Sequence, residues 1–193
     1  MDALDQKRSL AMPIASSVGI TVLMSLLLWW MGRIWWCKQG DTAIFIKEAW
    51  GSVHTSQHLL DPYVLTHVLH GVAFCLIAAL LFPRLSVWWR FVIAVAAEAG
   101  WELLENSSYI IEKYRANTAS FDYFGDSIVN SIADVAACAL GFWFAAKLGA
   151  WKSLAFFVLV ELLLIFWIRD SLLINILMLI YPVDAIKIWQ SGM

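Results

Sequence analysis

The sequence predicts an all-α polytopic membrane protein: a bundle of about six transmembrane helices, with a short interfacial helix between the first and the second. Three observations carry that expectation. The 193 residues are 62% hydrophobic and 15% charged, with a mean hydropathy of +0.74, whereas soluble domains are nearer half apolar. Apolar runs long enough to cross a hydrocarbon core of about 30 Å recur along the chain, separated by polar stretches. Twelve Trp and five Tyr suit the aromatic belts that membrane helices place at the lipid–water boundary. No strand-like alternation or internal repeat is evident, so residues 1–193 are expected to form a single membrane domain.

The elements follow in order. A polar start carrying Lys7 and Arg8 leads into a first span over 10–31. The run is too long for the core of a signal peptide, and no small-residue cleavage site follows it, so a transmembrane helix is the better reading. Trp29, Trp30, Trp35 and Trp36 mark its exit. Over about 41–53, Ile44, Phe45, Ala49 and Trp50 alternate with Lys47 and Glu48 as in an amphipathic helix lying on the membrane. Ser56-Gln57-His58 and a turn at Asp61-Pro62 lead into the second span, 63–82, with His67 and His70 on one face and Pro83 at its end. The third span is 85–105. A polar loop then carries Glu112, Lys113, Tyr114, Arg115 and Asp122. Gly125 precedes the fourth span, 126–146, with Asp126 expected to cap its N-terminus. The fifth, 151–168, contains Glu161, expected to pair with a His or an Arg. Arg169-Asp170 turns the chain into the sixth, 172–188, which holds Asn175.

The polar residues are not scattered. Glu98, Glu102 and Glu105 stand at i, i+4 and i+7, and Asp126, Asn130 and Asp134 at i, i+4 and i+8. At about 100° per residue each set falls on one narrow stripe of its helix. Charges at membrane depth cost several kcal/mol unless paired or wet, and so mark a functional site. Five spans place their polar residues in the same half of the bundle, which predicts a water-accessible cavity opening on one side. Loop charge sets the orientation. One side holds seven Lys/Arg, with Lys187 among them, and the other six. The first side's interhelical loops are short and free of acid, which places both termini in the cytoplasm and the cavity on the periplasmic face.

A net charge of −2 and the lack of any basic run argue against nucleic acid as a partner. The three cysteines show no CxxC spacing. Cys75 and Cys138 lie in apolar runs, where packing is their expected role. Cys37 lies near a surface and has no assignment.

Three blocks resemble a known family: Ser56 to Gly71 (SQHLLDPYVLTHVLHG), Trp101 to Asp134 (WELLENSSYIIEKYRANTASFDYFGDSIVNSIAD) and Arg169 to Gln190 (RDSLLINILMLIYPVDAIKIWQ). They look like DUF2585, also called UPF0314, a family of alphaproteobacterial membrane proteins of unknown function. The resemblance implies a bacterial inner-membrane protein and brings no activity with it. It also implies that His58, His67, His70, Glu102, Glu105, Asn106, Tyr114, Arg115, Asp122, Asp126, Asn130 and Asp134 fall on motif positions. Where the family's third block often reads Arg-Asp-Asn, this chain has Ser171.

Two chemistries suit these residues. In the first, His58, His67 and His70, with a carboxylate from Glu102, Glu105 or Asp126, hold zinc or another divalent metal and leave a position open for water. Glu102, Glu105, Asp126 and Asp134 then supply the acid and base groups, with Asn130 among them as the remaining expected catalytic residue. In the second, no metal is present, and crowded carboxylates separate into one acid and one base. The plainer alternative is that His67 and His70 only hydrogen-bond to the acids and hold the second span against the third. Tyr114 and Arg115, with Lys113, are the expected contacts to an anionic head group, because Arg forks onto phosphate, and Asp122 and Arg169 complete the expected substrate-binding set. Three functions remain open. One is a hydrolase or transferase acting on a lipid or lipid-linked substrate, with membrane lipids as partners. The others are a non-catalytic assembly or lipid-binding protein and a proton-coupled small-molecule transporter.

Overall fold

The computed structural model describes residues 3–192, with side chains from residue 10. The described residues form eight helices: α1 (Ala3–Trp30), α2 (Val64–Leu81), α3 (Val87–Glu105), α4 (Ser108–Asn117), α5 (Ile128–Leu148), α6 (Ala150–Ile168), α7 (Leu172–Ile180) and α8 (Asp184–Ser191). Within this helical membrane bundle, four stretches are long and apolar enough to cross a bilayer: Leu10–Trp30, α2, α5 and α6. At 19 residues α3 matches α6 in length, but it carries the buried acids Glu98 and Glu102 and packs between α1 and α5.

Serine starts four of the helices. Ser86, Ser107, Ser127 and Ser171 each accept a hydrogen bond from a backbone N–H in the first turn that follows, which satisfies a donor the helix itself leaves open. The expected cap at Asp126 is therefore displaced by one residue. Ser171, at the position where the family often has Asn, does what either residue type does well at a helix start. Glu161, expected to pair with a cation, instead accepts from Leu172 N at 3.0 Å and Leu173 N at 3.3 Å. The N–H groups at the start of α7, which have no partner within the helix, and its dipole thus take the place of a cation.

The centre of the bundle is the α2–α5 contact. A Cβ at Gly71 would lie 1.9 Å from Cys138 O, and one at Gly141 would lie 2.0 Å from Val68 O. The two backbones touch where glycine permits it, as membrane helices do in the absence of a hydrophobic force between them. The outer face of α6 is apolar and bare, with Trp151 84% and Phe166 85% exposed, as suits a surface that meets lipid.

Three segments differ from the sequence expectation. The interfacial helix expected over 41–53 is absent, and those residues belong to an irregular strap, 33–63, between α1 and α2. Residues 44–46 exchange backbone hydrogen bonds with Leu60 instead of bonding four residues back: Leu60 N donates to Ile44 O and Ile46 N to Leu60 O, both at 3.0 Å, with Gly40 (φ 73°) and Gly51 (φ 70°) turning the chain on either side. The 106–124 loop contains α4. The sixth span over 172–188 is broken. Pro182, which lacks a donor and crowds the preceding turn, separates α7 from α8, and α7 has only 9 residues, about 14 Å of helix and too short to cross.

The break changes where the chain ends. Lys113 Nζ donates to Leu179 O at 3.1 Å and Lys187 Nζ to Ala116 O, so α8 lies beside α4. That is the end of the bundle where α1 finishes and Arg33 donates to Phe124 O at 2.6 Å. The start of α1 and the end of α8 therefore lie at opposite ends of the bundle. The expectation that both termini share a side rested on a sixth crossing and does not hold, and Lys187 moves to the other charge group.

Candidate functional site

A cavity of about 150 Å³ opens at that same end, lined by residues of the strap, α2, α3, α4, α5 and α7. Its floor is a histidine–carboxylate cluster. His67 and His70 share one face of α2, and Glu98 lies opposite, fully buried, with its two oxygens divided between them. His67 Nδ1 is 2.5 Å from Glu98 Oε1 and His70 Nδ1 is 3.0 Å from Glu98 Oε2. A carboxylate facing both Nδ1 atoms holds the N–H there and leaves each Nε2 with a free lone pair. Around His67 stand further acids: Glu102 Oε1 is 3.5 Å from Nδ1 and Asp134 Oδ2 is 3.9 Å from Nε2.

Glu102 is completely buried, and neither of its oxygens has a hydrogen-bond partner. Asp126 differs. Its carboxylate accepts from Asn106 Nδ2 at 2.7 Å and from Tyr123 Oη at 2.8 Å. Burial raises its pKa above the usual carboxylate range, and these two hydrogen bonds oppose the rise. It lines the cavity with Glu105, Asn130 and Asp134, so it is more than a helix cap.

The rim is built by long-range bonds. Asp61 accepts from Ser56 Oγ at 3.2 Å and from Tyr63 N at 2.8 Å, and burial raises its pKa. Tyr63 Oη donates to Asp170 Oδ2 at 2.9 Å, which ties the strap to the α6–α7 turn. Burial pushes Asp170 up to about 7, while the bonds from Tyr63, Ser171 and Asn175 pull the other way. Burial also raises Tyr63, Tyr114 and Tyr123 well above the ordinary phenol value, so all three are neutral hydrogen-bond donors at physiological pH. No lysine or arginine lines the cavity among the described residues.

The structure brings together most of the residues singled out from sequence: His67, His70, Glu102, Glu105, Asp126, Asn130, Asp134 and Tyr114. It separates four others. His58 is not in this cluster: it sits in the strap, with Nδ1 on Ala43 O at 2.7 Å and Nε2 3.2 Å from His54 Nδ1. Arg115 is exposed and donates to Phe121 O, Asp122 is exposed, and Arg169 is exposed and donates to Trp189 O. Arg115 lies in the last turn of α4, and none of these three lines the cavity. Glu98 was visible in the acid stripe but was not chosen as a site residue. Its distance of one turn from Glu102 was the available signal. Asp61, Tyr63 and Tyr123 carried no signal, because Asp-Pro reads as a turn and the tyrosines read as interfacial aromatics.

His67, Glu102 and Glu105 offer ligand atoms within 4.8 Å of one another, as do His67, His70 and Glu98. The first set fits a divalent cation better, because Glu102 is unpartnered whereas Glu98 is already shared by two imidazoles. Such an arrangement can polarise a substrate oxygen or activate water, with Asp126 or Asp134 as an adjacent proton acceptor.

With this geometry in hand, the chain can be set beside known proteins. A family model described as "Protein of unknown function (DUF2585)" matches residues 28–192. A UPF0314 protein of Paracoccus denitrificans is 44% identical over 174 residues, covering 90% of each chain. One from Brucella anthropi is 44% identical over 178 residues, covering 91% of this chain and 89% of the relative. One from Rhizobium meliloti is 39% identical over 191 residues, covering 97% and 95%. No solved structure matches. The family match spans every helix that builds the cavity, and the chain belongs to the DUF2585 family.

Proposed function

We propose that this chain is a multi-pass inner-membrane enzyme whose periplasm-facing cavity holds a divalent cation and uses it for hydrolysis or group transfer on a lipid or lipid-linked substrate. The observation that carries the reading is Glu102, a fully buried carboxylate with no hydrogen bond to either oxygen, 3.5 Å from the cavity-lining His67 and behind a wall that holds Glu105, Asp126 and Asp134 and, among the described residues, no lysine or arginine. A lone buried carboxylate is costly unless it is neutralised, and a cation does that while satisfying its lone pairs. Glu102, Glu105 and His67 would hold the ion and leave its remaining positions to water and substrate. Asp126 and Asp134 stand where an attacking water could give up its proton.

Two features favour a lipid-linked substrate. Trp101, Ile176 and Leu179 give the cavity an apolar flank between α3 and α7, and Ile176 is itself 43% exposed, so an acyl or prenyl chain could lie there while its polar end meets the acids. Polar groups stop at this end of the bundle. Deeper, α2 and α5 pack through Val72, Cys75, Phe142 and Ala145, which suits a site served from one side and disfavours a transport path. The cavity faces the periplasm because the loops at the opposite end, around Arg84 and around Lys147 and Lys152, are short and carry no acid. The start of α1 is then cytoplasmic and α8 periplasmic.

The test is elemental analysis of the purified protein with a lipid comparison of cells. Expected are one cavity-bound divalent cation, lost in His67→Ala and in Glu102→Ala, and the same lipid species accumulating in cells that lack the protein and in cells that carry Glu102→Ala. A wild-type protein without that ion, or a lipid profile unchanged by either loss, overturns the reading. A metal-free protein that takes up protons in vesicles would point to transport.

A further inference from the structure

The strap holds a second cluster, independent of the cavity. Cys37, Asp41, His54 and His58 offer four ligand atoms that all lie within 4.8 Å of one another. The spacing is regular: Cys-x3-Asp, then twelve residues, then His-x3-His. Structural zinc sites use two short-spaced ligand pairs of this kind, joined by a loop.

The distances decide between a hydrogen-bonded knot and a metal site. His54 Nδ1 lies 3.4 Å from Cys37 Sγ, 3.2 Å from His58 Nε2 and 3.1 Å from Asp41 Oδ2. His58 Nε2 lies 3.5 Å from the same Asp41 oxygen. One imidazole nitrogen carries either one proton or one lone pair, so it cannot hydrogen-bond to three partners at once. Ligands about 2.0–2.1 Å (N, O) and about 2.3 Å (S) from a tetrahedral zinc stand roughly 3.3–3.7 Å apart. The four measured edges fall close to that range. A metal at the centre uses every donor that hydrogen bonding would leave in conflict.

The surroundings are built in the same sense. The His58 ring is fully buried at its side chain, and its Nδ1–H donates to Ala43 O at 2.7 Å. That fixes the tautomer and turns the Nε2 lone pair into the cluster, the outer bond that ligating histidines commonly make. Trp36 Nε1 donates to Asp41 O at 2.7 Å, and the Trp36 ring meets His58 edge-on with centroids 5.5 Å apart. Cys37 is buried, while His54 and Asp41 keep 31% and 38% side-chain exposure, which leaves an aqueous route for the ion. The donor set of two imidazoles, one thiolate and one carboxylate is borderline-soft and suits zinc over calcium or magnesium, which take oxygen.

We propose that Cys37, Asp41, His54 and His58 bind one zinc ion that fixes the strap against the bundle. Four protein ligands close the site to substrate, so its role is structural. The ion cross-links 37–41 to 54–58, within a segment that has no helix of its own. Thr55 and Ser56, inside the second pair, line the cavity. Ser56 O accepts from Ser127 N at 2.9 Å, the N-cap of α5. The zinc thus holds one wall of the cavity in place. Binding displaces the Cys37 proton to solvent.

The experiment uses the full chain in detergent with Cys75→Ala and Cys138→Ala, which leaves Cys37 as the single thiol. One equivalent of zinc should disappear in Cys37→Ser and in His54→Ala and persist in His67→Ala, the substitution that empties the cavity site, so the two sites are read separately. Exchange for cobalt should give a thiolate-to-cobalt charge-transfer band and the visible bands of a tetrahedral ion. With Cys37 as the single thiol and the cluster otherwise intact, Cys37 should resist maleimide until a strong chelator is added, a reading that requires no ligand substitution. Zinc content insensitive to Cys37→Ser and His54→Ala, stoichiometric copper in place of zinc, or a Cys37 thiol equally reactive with and without chelator overturns the proposal.

Discussion

The chain has two histidine pairs, and they differ in what surrounds them. His54 and His58 stand in an irregular strap with one thiol and one carboxylate, a set of four ligand atoms that all lie within 4.8 Å of one another. His67 and His70 stand on a membrane helix, share Glu98, and face a cavity whose carboxylates outnumber them. The first arrangement is closed and suits a structural ion. The second leaves both oxygens of the buried Glu102 without a hydrogen bond, next to His67 of the cavity lining, and suits an ion that meets substrate. The contrast shows that a histidine pair tells little about chemistry until its neighbours are known.

The largest expected effect breaks the platform under the cavity pair. Gly71→Ala puts a methyl group into the Cys138 carbonyl and should cost about 3 kcal/mol or more, read as loss of most folded protein in detergent. Gly100→Ala is the control. Nothing lies within 4 Å of its added Cβ, and stability should change by less than about 1 kcal/mol. Next comes Glu98→Gln. Its amide nitrogen must face an imidazole N–H, donor against donor. The cavity ion should bind roughly 10–100-fold more weakly, while the strap zinc and the Cys37 protection stay as in wild type. An equal loss at both sites would erase the distinction drawn above.

A smaller effect should appear in the pH dependence of stability. Asp170 titrates at about 7 in the folded chain, chiefly through burial, against about 3.9 when unfolded. Between those values the folded state holds the extra proton, so its contribution to stability is full at low pH and is lost as pH rises toward 7. Denaturation of Asp170→Asn, which cannot ionise, should show a shallower fall across that window than wild type. The smallest effect is expected at Arg115→Ala and Asp122→Asn. Both side chains are exposed and outside the cavity, so stability should shift by no more than about 0.5 kcal/mol and both metal contents should be unchanged.

Much of the architecture was legible because it is local. Hydropathy and length located the helices α1, α2, α3, α5 and α6, and the i, i+4 spacing of acids identified the polar faces of α3 and α5. The strap was misread as an amphipathic helix because Ile44, Phe45, Ala49 and Trp50 have suitable spacing. Its backbone bonds instead to Leu60, a partner no short-range pattern reveals. The last span was read through Pro182 because Ile180 and Ile186 continue the apolar run, and hydropathy does not register a missing N–H. That misreading also put Lys187, and with it the chain's end, on the wrong side of the bundle.

Sequence alone determined that this is a helical membrane protein with its histidines and most of its acids gathered at one end, because apolar length and helical period act within a single segment. Tertiary structure decided the pairings: Glu98 with both His67 and His70, His58 with Asp41 and not with His67, and α8 with α4. Those contacts join residues far apart in the chain, and only the packing of α2 on α5 and the closure of the strap over the bundle determine which of the available donors meet.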